Sequence, residues 1–309
     1  MKKTPVHLDF DTGTDDAIAL ILALLSQDQI DIKSISAVAG NAPLEVTSRN
    51  TLNIVDVLGE HIKVAKGADK PLSRPLECAL SHGETGIGSV VLPPSKQPFY
   101  KKDAADTIYE SAVEADGELV YMGVAPQTNL AIALQRYPDL KDKIKRIHMM
   151  GGALVGGNMT LASEFNAYVD PEAMKIVFAS GIPITMVGLD VTLQAVLPDW
   201  VKDEISKMNS KHAQIVDQIM AHCIKVNLEH GWDSTCIHDA LAFCSIVRPE
   251  VIKTKPYYMD VETEGTFGRG MTAADFYGAY PERKKNVDCA VEVDVNLFWN
   301  WMVDLLRTA

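Results

Sequence analysis

No apolar run in this chain is long enough to cross a bilayer. The most apolar stretch, Ala17 to Leu25, covers nine residues, against the ~20 that a spanning helix needs. Cysteine is sparse and unpatterned. The five, Cys78, Cys223, Cys236, Cys244 and Cys289, are odd in number and contain no CxxC. A disulfide framework and a thiolate zinc site are therefore not expected, and a reducing compartment fits. Positive charge is outweighed, with Lys plus Arg at 29 against Asp plus Glu at 41 and a net charge of −12. Such a balance offers no general footprint for nucleic acid or anionic lipid, so neither is expected as a partner. A cation or a neutral small molecule suits it better. The opening Met1-Lys2-Lys3-Thr4-Pro5 has two lysines but no long apolar stretch behind them, so a signal peptide is not expected and a soluble cytoplasmic protein is. Internal repeats and low-complexity tracts are missing too.

What is present is a globular composition, 47% hydrophobic and 23% charged over 309 residues. Strand-like and helix-like segments alternate. Strands are expected at Val6–Phe10, Ile32–Ala39, Ile62–Ala65, Glu118–Met122, Ile144–Met150 and Ile184–Val187. Helices are expected between them at Asp15–Gln27, Leu44–Leu58, Ala104–Ala115, Thr128–Arg136 and Pro171–Ser180. This rhythm implies an α/β fold, a mostly parallel central sheet flanked by helices, in one domain over residues 1–309. After Leu197 the rhythm changes. Pro198 to Asn227 reads as helical with at most a short break, and Cys236 to Val247 as another helix. Pro256–Val261 and Val287–Val295 read as late strands, and Leu297–Leu306 as a closing helix. Residues 76–97, rich in Gly, Pro and Ser, and residues 223–235 are expected as active-site loops.

In parallel sheets ligands sit beyond the carboxyl ends of strands, and several polar groups fall there. Asp9, Asp11, Asp15 and Asp16 put four carboxylates within eight residues, at the end of the first strand and the start of the first helix. A helix N-terminus accounts for one or two acids. Four repel one another, and a hard cation with oxygen ligands would relieve that repulsion. Gly13 permits the turn that lets Asp11 and Asp16 converge. Gly40-Asn41 follows the second strand, where an amide can hold a hydroxyl. Met149-Met150-Gly151-Gly152 leads into Gly156-Gly157-Asn158, and no GxGxxG supports a dinucleotide site. Asn158, Glu164 and Asn166 can offer donors and acceptors to a polyol, while Asp170 before Pro171 reads as a helix N-cap. His238-Asp239 opens a helix after a loop holding His230 and Trp232. A histidine beside a cation site is a candidate proton donor. Ser81-His82-Gly83, within the long loop, adds a second histidine.

The set, in this order, resembles the nucleoside hydrolases that prefer inosine and uridine. The resemblance rests on Asp9-x-Asp11-x-Gly13-x-Asp15-Asp16, Gly40-Asn41, Met150-Gly151-Gly152, Glu164-Phe165-Asn166 and His238-Asp239, and spans nearly the whole chain. It implies a calcium-dependent α/β enzyme that cleaves the N-glycosidic bond of ribonucleosides. It implies Asp11, Asp16, Asp239 and the carbonyl of Val124 as calcium ligands, with Asp11 also the base for the attacking water. Asp15, Asn41 and Asn166 would hold ribose hydroxyls, Asn158 and Glu164 the 5′ end, and Met150 the ribose pocket. His82 and His238 would lie near the base, with His230 and Trp232 beside it. Pyrimidine ribosides are favoured over inosine, and a homodimer or homotetramer is implied. Two positions depart from the common pattern: Thr12 stands where relatives carry Pro, and His230 where they often carry Tyr.

The residue types suit that chemistry. Departure of the base builds positive charge on the sugar, as in other glycosyl transfers, and an acidic pocket stabilises it. A site built around the 2′-hydroxyl should reject deoxynucleosides, and without a basic cradle nucleotides should be poor substrates. Two other readings stay open at this stage. Asp9-Phe10-Asp11 superficially matches the DxD of magnesium-dependent phosphatases of the haloacid dehalogenase type, although Gly13 stands where that pattern wants Thr or Val. The other is a riboside-binding protein without turnover.

Overall fold

The structure is a computed structural model that describes residues 2–79, 81–83, 85–233 and 235–309. Leu80 and Glu84 of the expected loop 76–97, Ser234 of the expected loop 223–235, and Met1 lie outside the described residues. The strands are β1 (Thr4–Phe10), β2 (Ile30–Ala37), β3 (Val64–Lys66), β4 (Leu119–Gly123), β5 (Ile144–Met150), β6 (Ile184–Val187), β7 (Ile252–Tyr257), β8 (Met259–Val261), β9 (Thr272–Ala274) and β10 (Val287–Val293). The helices are α1 (Thr14–Leu25), α2 (Leu44–Val57), α3 (Ala104–Glu114), α4 (Thr128–Arg136), α5 (Phe165–Val169) and α6 (Pro171–Phe178). Then follow α7 (Leu189–Thr192), α8 (Asp199–Ile205), α9 (Lys211–Glu229), α10 (His238–Val247) and α11 (Val295–Arg307).

Eight strands form one sheet in the order β3-β2-β1-β4-β5-β6-β10-β7. All neighbours are parallel except β7, which runs antiparallel to β10 at the edge. The strands show why both faces are covered. Along β4, Leu119 and Tyr121 enter one apolar cluster with α3 and α4, while Val120 and Met122 enter the other with α1 and α10. That alternation is the period-2 geometry of a strand buried on both sides. Helix α1 is apolar all round, and every residue from Ala17 to Leu24 is buried. Such a helix belongs inside, and it packs against α2, α9, α10 and α11.

Numbering along the sheet reverses between β1 and β4. The chain runs outward from β1 to β3, then returns to place β4 on the other side of β1. The crevice beyond the carboxyl ends of two such strands is where open α/β sheets bind ligands. Here it is flanked by Asp11, just past β1, and Val124, just past β4.

Most expected segments stand within a few residues of their places, and β5, β6 and α4 match in full. Differences have local causes. The expected loop 223–235 is helical through Glu229, because Cys223 to Glu229 continues α9 and Lys225 pairs with Glu229 one turn on. The expected strand Pro256–Val261 is two strands. β7 pairs with β10, and β8 leaves the main sheet to pair with β9. Short α5, α7 and β9 have too few residues to show a period.

Candidate active site

Three elements deliver the four acids. Asp11 follows β1. Asp15 and Asp16 lie in the first turn of α1, and Asp239 in the first turn of α10. Helices α1 and α10 pack together, which brings their N-termini side by side. Carboxylate oxygens of Asp15, Asp16 and Asp239 lie within 4.8 Å of one another. Asp11, Asp16 and Asp239 are buried, and Asp15 is half-buried.

Hydrogen bonds fix the cluster. Asp16 Oδ1 accepts from the Asp11 amide at 3.2 Å, and Oδ2 accepts from the Gly13 amide at 3.0 Å and Asn41 Nδ2 at 2.9 Å. Asp11 Oδ2 accepts from the Asn41 amide at 2.7 Å. The other Asp11 oxygen, Oδ1, is buried with no partner among the described residues. Gly40 allows this close approach, since a Cβ there would fall 2.1 Å from Asp11 Oδ2.

Burial first, then the charge of Asp16, pushes Asp11 well above the usual carboxylate range. Asp16 is pushed up to about 7 by burial and by Asp15. Asp239 is raised by burial and then by Asp15, Asp16, Asp11 and Glu164. Buried acids with this mutual repulsion and one orphaned oxygen fit a bound cation, whose charge would reverse each shift. Every donor is oxygen, with no thiolate or imidazole among them, which suits a hard ion. The compact trio differs from the ligand set that the resemblance implied: it contains Asp15, while Asp11 contributes the orphaned oxygen beside it. The Val124 carbonyl accepts from Asn166 Nδ2 at 3.0 Å.

The remaining candidates divide. Glu164 is buried and caps α5, taking the amides of Gly152, Asn166 and Ala167. Asn166 also reaches the Met150 carbonyl at 3.2 Å, and Met150 is buried. Asn158 is exposed, and its side-chain oxygen holds the Phe165 amide. His82 Nδ1 meets the amide and hydroxyl of Thr14, both at 3.0 Å. His238 Nδ1 lies 2.8 Å from Thr192 Oγ1. His82 and His238 both feel the charge of Asp15. His230 is exposed, and its Nδ1 lies 2.8 Å from the Val226 carbonyl. Trp232 is 62% exposed and lines a surface cavity with Leu197, Ile224 and Leu228 that includes none of Asp11, Asp15, Asp16 and Asp239. These last two are not brought to the cluster. Asp170 caps α6 as its sequence suggested.

Asp9 has a role that sequence reasoning did not single out. Buried within β1, it accepts from Ser36 Oγ, Tyr121 OH and Asn129 Nδ2, at 2.6, 2.6 and 2.9 Å. It thereby ties β1 to β2, β4 and α4 just beneath the cluster. The alternation along β1 was the available signal, since Asp9 points to the face opposite Leu8.

An α/β sheet with a buried carboxylate cluster at its switch point fits a site for a small polar ligand. Comparison with known proteins sharpens the class. The family model described as inosine-uridine preferring nucleoside hydrolase matches residues 6–300, and the chain belongs to that family. Over 307 residues it is 37% identical to the pyrimidine-specific ribonucleoside hydrolase RihA of Escherichia coli O81 (strain ED1a), covering 98% of both chains. It is similar to the solved purine-preferring ribonucleoside hydrolase of Gardnerella vaginalis at 34% identity, with a TM-score of 0.90 over 99% of this chain and 100% of that one. A plant nucleoside hydrolase superposes with a TM-score of 0.93 at 26% identity, covering 100% of each chain. The protein is thus an enzyme, a hydrolase of ribonucleosides.

Proposed function

We propose that this hydrolase depends on calcium and favours pyrimidine ribosides, releasing ribose and the free base. The observation that carries the reading is the unpartnered Oδ1 of buried Asp11 beside three further acids. Asp11, Asp16, Asp239 and the Val124 carbonyl would hold the ion, with Asp15 close by. When bound, calcium supplies a positive centre that acidifies a water molecule and orients a vicinal diol.

The chain's own groups do the rest. Asp11 accepts the proton of the attacking water. Asp15, Asn41 and Asn166 hold the 2′- and 3′-hydroxyls, and Glu164 with Asn158 holds the 5′ end beside Met150. This grip uses remote binding energy to align and distort the sugar. The acids stabilise the positive charge that grows on the ribose as the bond to the base breaks. His82 and His238 serve the departing base. His230 and Trp232 lie on the loop after α9 and would contact the base only after that loop turns inward.

Pyrimidine preference is supported by the two site histidines and by the pyrimidine specificity in the name of RihA, which this chain matches over nearly its whole length. The purine-preferring relative makes inosine the informative competitor. The test is a panel of uridine, cytidine, inosine, 2′-deoxyuridine and p-nitrophenyl phosphate, assayed for reducing sugar and phosphate with calcium and with chelator. Ribose release from uridine that chelator stops and calcium restores is expected. Activity indifferent to chelator sinks the calcium assignment, and faster turnover of inosine sinks the base preference. A cytoplasmic homodimer or homotetramer completes the reading, checked by light scattering on the purified protein.

A further inference from the structure

A contact between the long loop and helix α1 says more about His82 than its position near the base does. The Thr14 amide N–H donates to His82 Nδ1 at 3.0 Å. A backbone amide can only donate, so the nitrogen that receives it presents a lone pair. Nδ1 is then unprotonated and the ring proton sits on Nε2. A second donor serves the same atom: Thr14 Oγ1 lies 3.0 Å from Nδ1, and that hydroxyl also bonds with the Cys223 side chain.

The surroundings enforce this state. Thr14 is the first residue of α1 behind the N-cap Gly13, so its amide has no partner inside the helix and carries the positive end of the helix dipole. Such an end opposes an imidazolium. Burial opposes it further, as does His222 on α9, while Asp15 works in the other direction. Gly13 makes the approach feasible, since a Cβ there would fall 2.6 Å from Nδ1. Nε2 has no hydrogen-bond partner among the described residues. His238 is held differently. Its Nδ1 faces the Thr192 hydroxyl, a group that can donate or accept and so ties the ring to neither tautomer.

We propose that the Thr14 amide locks His82 as a neutral Nε2–H donor, which recognises an acceptor atom on the departing base and does not itself deliver a proton. The acceptor is of the carbonyl-oxygen or ring-nitrogen class. The recognition half rests on His82 facing the base, as proposed above; the tautomer half does not.

The experiment uses calcium-loaded protein labelled with 15N-histidine. Long-range proton–nitrogen correlation at pH 7 reads the protonated nitrogen of each ring, and His82→Gln identifies the signal of interest. The Nε2–H pattern is expected. A ring protonated at Nδ1, alone or together with Nε2, overturns the proposal. Thr14→Val removes the hydroxyl and keeps the amide, so the Nε2–H pattern should persist in it. An Nδ1–H population appearing in that variant would assign the lock to the hydroxyl and overturn the proposal. Kinetics on uridine separate the donor role: His82→Leu should lower kcat/KM by ~10- to 100-fold, and His82→Gln, which restores an N–H donor near Nε2, should recover most of that. Equal damage from the two refutes base recognition. A wild type with the Nε2–H form but without riboside hydrolysis would sink the activity reading and leave the tautomer assignment standing.

Discussion

Replacing Asp16 by asparagine should stabilise the protein when the cation is stripped, and only at neutral pH and above. Asp16 is fully buried, and its carboxyl is pushed from 3.8 up to about 7. An acid whose folded pKa is raised contributes stability that is whole below about pH 4 and is lost as pH rises through about 7. The gap between 3.8 and about 7 corresponds to about 4 kcal/mol at 1.36 kcal/mol per unit. A good third of that loss is already present at pH 5, so about 2 to 3 kcal/mol develops between pH 5 and 8. Asparagine cannot ionise and escapes this loss. It gives up something in return, because Asp16 accepts from two donors on Oδ2 and one on Oδ1. An amide nitrogen on either side would face a donor, at about 1–2 kcal/mol. That term does not vary with pH. The assay is a thermal melt in chelator at pH 5 and pH 8. Between the two, the midpoint of Asp16→Asn should rise relative to wild type by about 5 °C, taking roughly 2 °C per kcal/mol at this chain length. Adding calcium should reverse the order at pH 8, since only the wild type keeps the full ligand set. A difference between the variants that stays flat with pH would show that the carboxylate is not held against ionisation, and the cradle argument would fall.

Further outcomes are expected. Asp11→Ala should lower uridine turnover by ~10²- to 10⁴-fold and weaken calcium binding measured by titration calorimetry; ordinary activity in a folded variant refutes its role as base. 2′-Deoxyuridine should fall below uridine in kcat/KM by ~10⁴-fold, because the polar groups gathered around the 2′-hydroxyl would be left unpaired, and comparable turnover removes that grip. His7 is buried between Ser34 and Ser36, and burial lowers it to about 3. A base with a depressed folded pKa contributes stability that is present above about pH 6.5 and lost as pH falls. Denaturant unfolding with calcium should therefore show wild type losing about 2 kcal/mol more than His7→Gln between pH 7 and 5; parallel losses contradict it.

The parts of this molecule legible in its sequence are those with a local signature. Amphipathic or fully apolar periods mark α1, α2, α4 and β5, because burial on one or both faces is written into neighbouring residues. The four acids after β1 are legible for the same reason, as is the Asp170-Pro171 cap. What the sequence cannot display is convergence of distant segments. That Asp239 joins Asp15 and Asp16 follows from α10 packing on α1, more than two hundred residues along the chain. The residue types made His238-Asp239 a candidate beside a cation site, and the family resemblance assigned Asp239 as a ligand. His230 and Trp232 show the opposite case. Proximity to His238 in sequence suggested a shared site, yet α9 continues to Glu229 and holds both residues outward, away from the acids.

The same distinction explains the network under the site. Asp9 belongs to the sequence cluster of carboxylates, but strand alternation turns it away from Phe10 and Leu8, toward Ser36, Tyr121 and Asn129. It is raised by burial and held back by those three donors. Its work is to lock β1 against β2 and β4, the two strands that flank the switch point. Two aspartates two residues apart in one strand motif thus divide into a support and a candidate ligand. The division follows from which hydrogen bonds are already filled: all of Asp9's oxygens have partners, whereas Asp11 keeps one free. In a buried acidic cluster, the oxygen without a protein partner is the one left open to a cation or a water.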